Sequence, residues 1–258
     1  MLRSRLTLLT LLLLIPSLAQ AQPTVADEDG FTRPLERLTF NPGLDQREFE
    51  RSTLLALAIP DPLEPWNRRV YHFNQRFDEW VLLPVVNAYQ AVTPRVVRSG
   101  VSNFFNNLAD VGSLANSLLQ LKGQRAMNST ARLLFNTILG LGGIWDPATR
   151  MGLPRQPEDF GQTLGHYGVD AGPYLVLPLL GPSNLRDTAG LVTDYGLGNA
   201  VNYLDVADAS SDNPAITVLR AVDLRAHTGF RYGQLNSPFE YEKVRYLYHE
   251  SRKLKIAD

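Results

Sequence analysis

The 258-residue chain contains no cysteine. Disulfides and thiolate metal sites are therefore excluded, as is a lipid carried on a cysteine thiol, and stability must come from an apolar core or an apolar surrounding. Long apolar runs are missing too: the ten-residue stretch Leu6–Ile15 is too short to span a bilayer, which takes roughly 20 residues. An excess of positive charge is also absent. The formal net charge is −1, and removal of Arg3 and Arg5 with a leader takes the basic count from 25 to 23 against 26 acids, a net charge of −3. No electrostatic pull toward nucleic acid follows from that balance. The four histidines, His72, His166, His227 and His249, stand apart without the spacing of a metal motif, so neither metal nor cofactor is predicted. Gly140-Leu-Gly142-Gly143 is not followed by Lys-Ser/Thr and comes after a helix instead of opening one, which argues against a phosphate loop and for a helix stop or hinge. No nucleophile turn or paired carboxylate cluster accompanies His166, which is read as a hydrogen-bonded structural residue. The chain reads as a non-enzyme.

What is present falls into three parts. Residues 1–21 have the layout of a secretory signal, with Arg3 and Arg5 before the apolar run and Ala19-Gln20-Ala21 as the cleavage site. Residues 22–57 form an acidic, proline-broken leader, predicted to be largely disordered, with a short helix over Arg51–Ile59. Residues 58–258 read as one helical domain. Its first helix, Asp61–Trp80, opens on Asp61 as cap, Pro62 at the first helical position and Glu64 as partner in a capping box.

On that helix Leu63, Trp66, Val70, Phe73, Phe77, Trp80 and Val81 share an arc of about 100°. Trp66, Phe73, Phe77 and Trp80 make it strongly aromatic. Such a stripe suits either a protein core or the plane of a membrane interface. Asn67, Tyr71, Asn74 and Asp78 follow one polar flank, a solvated face or a channel wall. Further helices are predicted over Val85–Val92, from Thr93-Pro94, from about Gln124 to the glycine cluster, and over Leu185–Tyr195, Pro214–His227 and Phe239–Lys255, the last behind a capping box Ser237-x-x-Glu240. Between them lies a Gly/Pro-rich segment in which Pro178 breaks periodicity, predicted as an extended or hairpin-like loop with little regular sheet.

The motifs DPLEPWNRRVYHFN, SNFFNNL at Ser102–Leu108, RLLFNTILGLGGIWDPA at Arg132–Ala148 and FGQTLGHYGVDAGPYLVLPLLGPSNLRD at Phe160–Asp187 resemble the VacJ/MlaA family of outer-membrane lipid-asymmetry proteins, over roughly Pro60 to Leu224. The resemblance implies a mainly α, ring-like arrangement of amphipathic helices in the inner leaflet of the Gram-negative outer membrane. It implies binding to a trimeric porin, and a polar channel through which misplaced phospholipid descends to a periplasmic carrier. No bond is made or broken. On this reading Trp66, Phe73, Phe77 and Trp80 face the membrane, Asn67, Tyr71, Asn74 and Asp78 line the channel, Gly140, Gly142 and Gly143 form a hinge, and His72 and Phe73 are structural or gating positions. The sequence departs from the family in lacking the lipobox cysteine, so export without lipidation is expected. A soluble periplasmic lipid-binding protein or hydrolase is the alternative, with the aromatic stripes buried in its own core.

Overall fold

A computed structural model describes residues 45–56, 59–235 and 237–258. The signal peptide and most of the leader lie outside them. Backbone contacts divide the chain into Met1–Phe49 and Glu50–Asp258, and the architecture below is that of the second unit. The first described element, α1 (Gln46–Ala56), starts five residues earlier than the Arg51 expected from sequence.

Helix α2 (Glu64–Phe77) follows Leu63, and no side chain caps it. Asp61 has turned inward instead. Its carboxylate accepts from Asn67 Nδ2 at 2.8 Å and from Arg245 at 3.1 Å, and from the Tyr241 hydroxyl. A buried carboxylate offered a cation and two donors gains more there than from one backbone N–H at an exposed helix end. A single wide turn, Asp78–Leu82, comes next, in which the Leu83 N–H donates to Asp78 O, five residues back. The i→i+5 pattern accommodates Pro84, which has no N–H to give, and α3 (Leu83–Val92) continues from it without a break.

Helices α4 (Arg95–Leu119) and α5 (Gly123–Ile138) pack along each other. Leu121, with φ 58°, reverses the chain between them. Two short helices are capped by the aspartate before them: Asp146 accepts from the Thr149 N–H ahead of α6 (Pro147–Arg150), and Asp159 from the Gln162 N–H ahead of α7 (Phe160–His166). The Gly/Pro-rich segment is a hairpin, β1 (Tyr174–Leu177) antiparallel to β2 (Gly181–Asn184), with Val176 opposite Pro182. Pro178 falls in the turn, where it interrupts no ladder. Asn184 caps α8 (Leu185–Val201), and α9 (Val206–Asp212), α10 (Pro214–His227) and α11 (Glu240–Ala257) complete the unit.

The capping box expected before α11 does not form. Ser237 donates to Glu50, and Glu240 instead accepts from the Tyr71 hydroxyl at 2.7 Å and the Gly233 N–H at 2.8 Å. Ser237 accepts locally only from Phe239 N–H, at 3.2 Å, and not from Glu240 N–H. The fold of the described residues is mainly α with one two-stranded sheet. Its buried apolar cluster, Val70, Tyr71, Tyr174, Val176, Tyr241 and Val244, lies where α2, β1 and α11 meet.

Candidate functional site

Helix α2 is oriented opposite to a helix of a water-soluble core. Asn67 is fully buried at 0% exposure, whereas Trp80, just past the helix end, is 73% exposed and Phe73 51%. Leu63, Trp66 and Val81 are also exposed, and Phe77 is half-buried. The polar flank is the inward one. Asn67 donates to Tyr174 O at 3.0 Å and accepts from Val176 N–H at 2.8 Å, bracketing β1. Asn74 repeats the motif one step along the hairpin, donating to Leu177 O at 2.9 Å and accepting from Leu179 N–H at 2.8 Å. Tyr71 donates to Glu240, and Asp78 takes both ends of the Arg225 guanidinium at 2.6 and 2.8 Å. Asn67, Tyr71, Asn74 and Asp78 are thus brought together on one face, but neither as a solvated face nor as an open channel wall. Their polar atoms are engaged by the hairpin, α10 and α11.

A prediction follows from the Asn67 bracket. Asn67→Ala leaves a buried carbonyl and a buried N–H of β1 without partners, each costing about 1–3 kcal/mol. Hydrogen exchange at the Val176 amide should accelerate together with a fall in the denaturation midpoint; unchanged protection would show that the bracket does not hold the hairpin.

The same inversion runs through α4 and α5. Asn107, Asp110, Ser113, Asn116 and Ser117 of α4 and Ser129, Arg132 and Asn136 of α5 are buried, while Val96, Val97, Leu118, Met127, Leu134 and Ile138 are exposed. Among the described residues eleven apolar or aromatic side chains other than proline are buried, against twenty-two polar or charged ones. Burial on that scale requires pairing. Arg132 donates to Asp110 at 2.9 Å, to Thr149 at 3.0 Å, to Leu153 O at 2.7 Å and to Asp146 at 3.3 Å. Glu158 accepts from Gln120 at 3.0 Å and Lys122 at 3.3 Å, and from Arg125.

Arg252 on α11 joins the cap of α7 to the start of α8, donating to Asp159 at 2.6 Å and Asp187 at 3.1 Å. Burial alone would raise the Asp159 carboxyl, but hydrogen bonds and charge from Arg252 outweigh it and hold the group below the ordinary carboxylate range. Asp187 is lowered likewise: burial works against the Tyr248 hydroxyl bond and the Arg252 charge, and loses. Close by, Asp194 forms no ion pair among the described residues, and burial raises it. These groups border a cavity of about 180 Å³ whose other walls include Leu177, Leu180 and Leu191.

Gly140, Gly142 and Gly143 form a closed turn. A Cβ on Gly140 would stand 2.2 Å from both Asn136 O and Trp145 O, and one on Gly143, at φ +93°, would stand 2.6 Å from Asn107 Cβ. Hydrogen bonds from Gly142 N–H to Thr137 O at 2.9 Å and from Gly143 N–H to Asn136 O at 2.8 Å fasten it. Of stop and hinge, this geometry fits the stop. His166 is exposed and meets Tyr167 edge-on at 5.2 Å, with no hydrogen bond to its ring among the described residues, which corrects the structural role expected for it. No sequence motif marks Asp110, Glu158 or Arg252, and Arg132 is marked only as part of the polar side of its helix. The available signal was that Asn107, Asp110, Arg132 and Asn136 share the polar faces of helices whose opposite faces are apolar.

A family profile described as "MlaA lipoprotein" matches residues 59–255. An "Uncharacterized protein" of Rickettsia felis is 36% identical over 208 residues, covering 78% of this chain and 80% of its own. The "Intermembrane phospholipid transport system lipoprotein MlaA" of Escherichia coli is 42% identical over 139 residues, covering 52% of this chain and 55% of its own. A solved structure described as "Structural basis for maintenance of bacterial outer membrane lipid asymmetry" aligns with a TM-score of 0.65 at 34% identity, covering 77% of this chain and 100% of that one.

Proposed function

The chain belongs to the MlaA family, and from that premise we propose that it serves intermembrane phospholipid transport at the outer membrane, as a passive route that takes phospholipid out of the outer leaflet. The observation that carries this reading is the inverted distribution of side chains. A phospholipid has an anionic or zwitterionic head and apolar tails, so a protein that moves it needs polar groups on the inside and an exterior compatible with acyl chains. Buried Asn, Asp and Arg behind exposed Trp, Phe, Leu and Val provide both. No described helix is long and apolar enough to cross a membrane. Lying in the plane of one leaflet is the arrangement that suits these helices.

The finer parts of the reading are a ring-like body held at a trimeric porin, a polar passage through it, and delivery to a periplasmic carrier. Asn67, Tyr71, Asn74 and Asp78 contribute by fixing the hairpin, α10 and α11 around the polar interior. Transport involves no catalysis, and the guanidiniums of Arg132 and Arg252 are paired with Asp110 and Asp159 instead of being presented to a substrate. Residues 1–21 act as the export signal, and with no thiol in this sequence the exposed aromatics supply membrane affinity in place of a thioether-linked lipid.

Cells deprived of the chain should accumulate phospholipid accessible to an impermeant amine-reactive probe, and its restoration should return that signal to baseline. No change on deprivation would remove the transport reading. Stoichiometric release of lyso-lipid or fatty acid by the purified protein would favour the hydrolase instead.

A further inference from the structure

Along the exterior of α2 an open groove of about 630 Å³ is bordered by Arg69, His72 and Arg76 and by Phe73, Phe77 and Trp80. By helical position the three cationic or ionisable side chains occupy one edge and the three aromatics the other. Arg69 and Arg76 lie seven residues apart, two turns, or about 10 Å along the axis. Phe73 and Phe77 stack with ring centroids 6.2 Å apart and planes at 25°.

The charges of this groove are unspent. Neighbouring Arg68 is held by Glu64 at 2.7 Å and by Glu242. Of the acids of the same stretch, Asp78 is paired with Arg225 at 2.6 Å, and exposed Glu79 accepts from the Gln75 amide at 3.0 Å and forms no ion pair with Arg76 among the described residues. Arg69 and Arg76 have neither an ion pair nor a hydrogen bond among the described residues. Two unpaired guanidiniums with fork geometry suited to phosphate, set against exposed Phe and Trp, select a ligand that is anionic at one end and apolar at the other.

We propose that this groove binds the headgroup phosphate of an anionic phospholipid in the surrounding membrane, with Arg69 and Arg76 on the phosphate and Phe73, Phe77 and Trp80 among its acyl chains. The site is an anchor on the outer face, separate from the polar interior, and it rests on the membrane reading given above. An acidic protein segment would satisfy the arginines but leave the aromatics exposed, so lipid is the better fit.

The test uses the full chain purified in detergent and floated with vesicles of phosphatidylcholine alone or of phosphatidylcholine with phosphatidylglycerol. Wild type should bind the mixed vesicles more tightly. The double variant Arg69→Gln/Arg76→Gln should lose about thirtyfold of that preference, as two cations at an anionic surface imply, while binding phosphatidylcholine as before. Added salt should shrink the wild-type preference and leave the variant unmoved. Arg69→Lys/Arg76→Lys should keep most of it.

A preference retained by the glutamine variant, no preference in wild type, or equal loss on both vesicle types would each overturn the site. So would release of a co-purifying acidic protein with vesicle preference unchanged. Wild-type failure to bind either vesicle would count against membrane residence as well, whereas an intact preference with unaltered phospholipid flux in deprived cells would count against the transport reading alone.

Discussion

Arg132→Leu is expected to lower stability by about 3–5 kcal/mol, the usual cost of removing one partner from a buried ion pair. The leucine fits the volume but leaves Asp110 with only Arg155, at 2.9 Å, and strips donors from Thr149, Leu153 O and Asp146. Against a typical total of about 5–15 kcal/mol, that loss should sharply reduce folded protein in cells. Denaturant titration in detergent micelles is the check. Adding Asp110→Asn should cost less in this background than in wild type, because the contact it shares with Arg132 is already gone and only the pair with Arg155 is left to lose. A single-variant loss below about 1 kcal/mol would show that the buried network is not holding α4 to α5.

Phe73→Asp/Phe77→Asp should release the protein from membranes. Each large apolar side chain contributes about 1.5–3 kcal/mol when removed from water, so losing both costs roughly two to four decades of partitioning before the new charges are counted. Folding should survive, since neither ring belongs to the buried apolar cluster at α2, β1 and α11. Membrane flotation together with the far-ultraviolet circular dichroism of the purified variant separates the two effects. Full membrane association of a folded variant would move the anchor elsewhere, for example to the exposed apolar faces of α4 and α5.

Periodicity identified the stripe Leu63–Val81, the helices over Val85–Val92 and Pro214–His227, and the hairpin character of the segment around Pro178. These signals are local: spacing at 3.6 residues and proline in a turn do not depend on what lies across the fold. The side of the stripe that faces outward was not legible, because an amphipathic wheel looks the same whether water or protein meets its polar face. For the same reason Asn67 and Asn74 looked open, although their amides bracket β1 over more than a hundred residues of chain. The cap proposed at Asp61 failed because distant partners, Tyr241 and Arg245 with Asn67, outbid the nearest backbone N–H, and the box at Ser237 failed because its hydroxyl accepts from Phe239 N–H and donates to Glu50 while Glu240 turns to Tyr71 and Gly233. The ion pairs of Arg132 and Arg252 join elements that no motif relates. The family resemblance reached the membrane where residue patterns alone left core and membrane both open.

The twenty-two buried polar side chains bear on how this protein meets heat and cold. An ordinary globule unfolds by wetting a dry apolar centre, and that wetting gives the large heat-capacity increment that curves its stability against temperature. Here the centre is largely hydrogen-bonded and ionic, and the apolar surface is already outside, shielded by lipid or detergent before and after the transition. Unfolding in that medium wets little new hydrocarbon. The stability curve should accordingly be shallow, with a calorimetric increment well under the roughly 12–15 cal/mol/K per residue of soluble domains and little weakening near freezing, where the aversion of water for hydrocarbon fades but a paired guanidinium keeps its carboxylate.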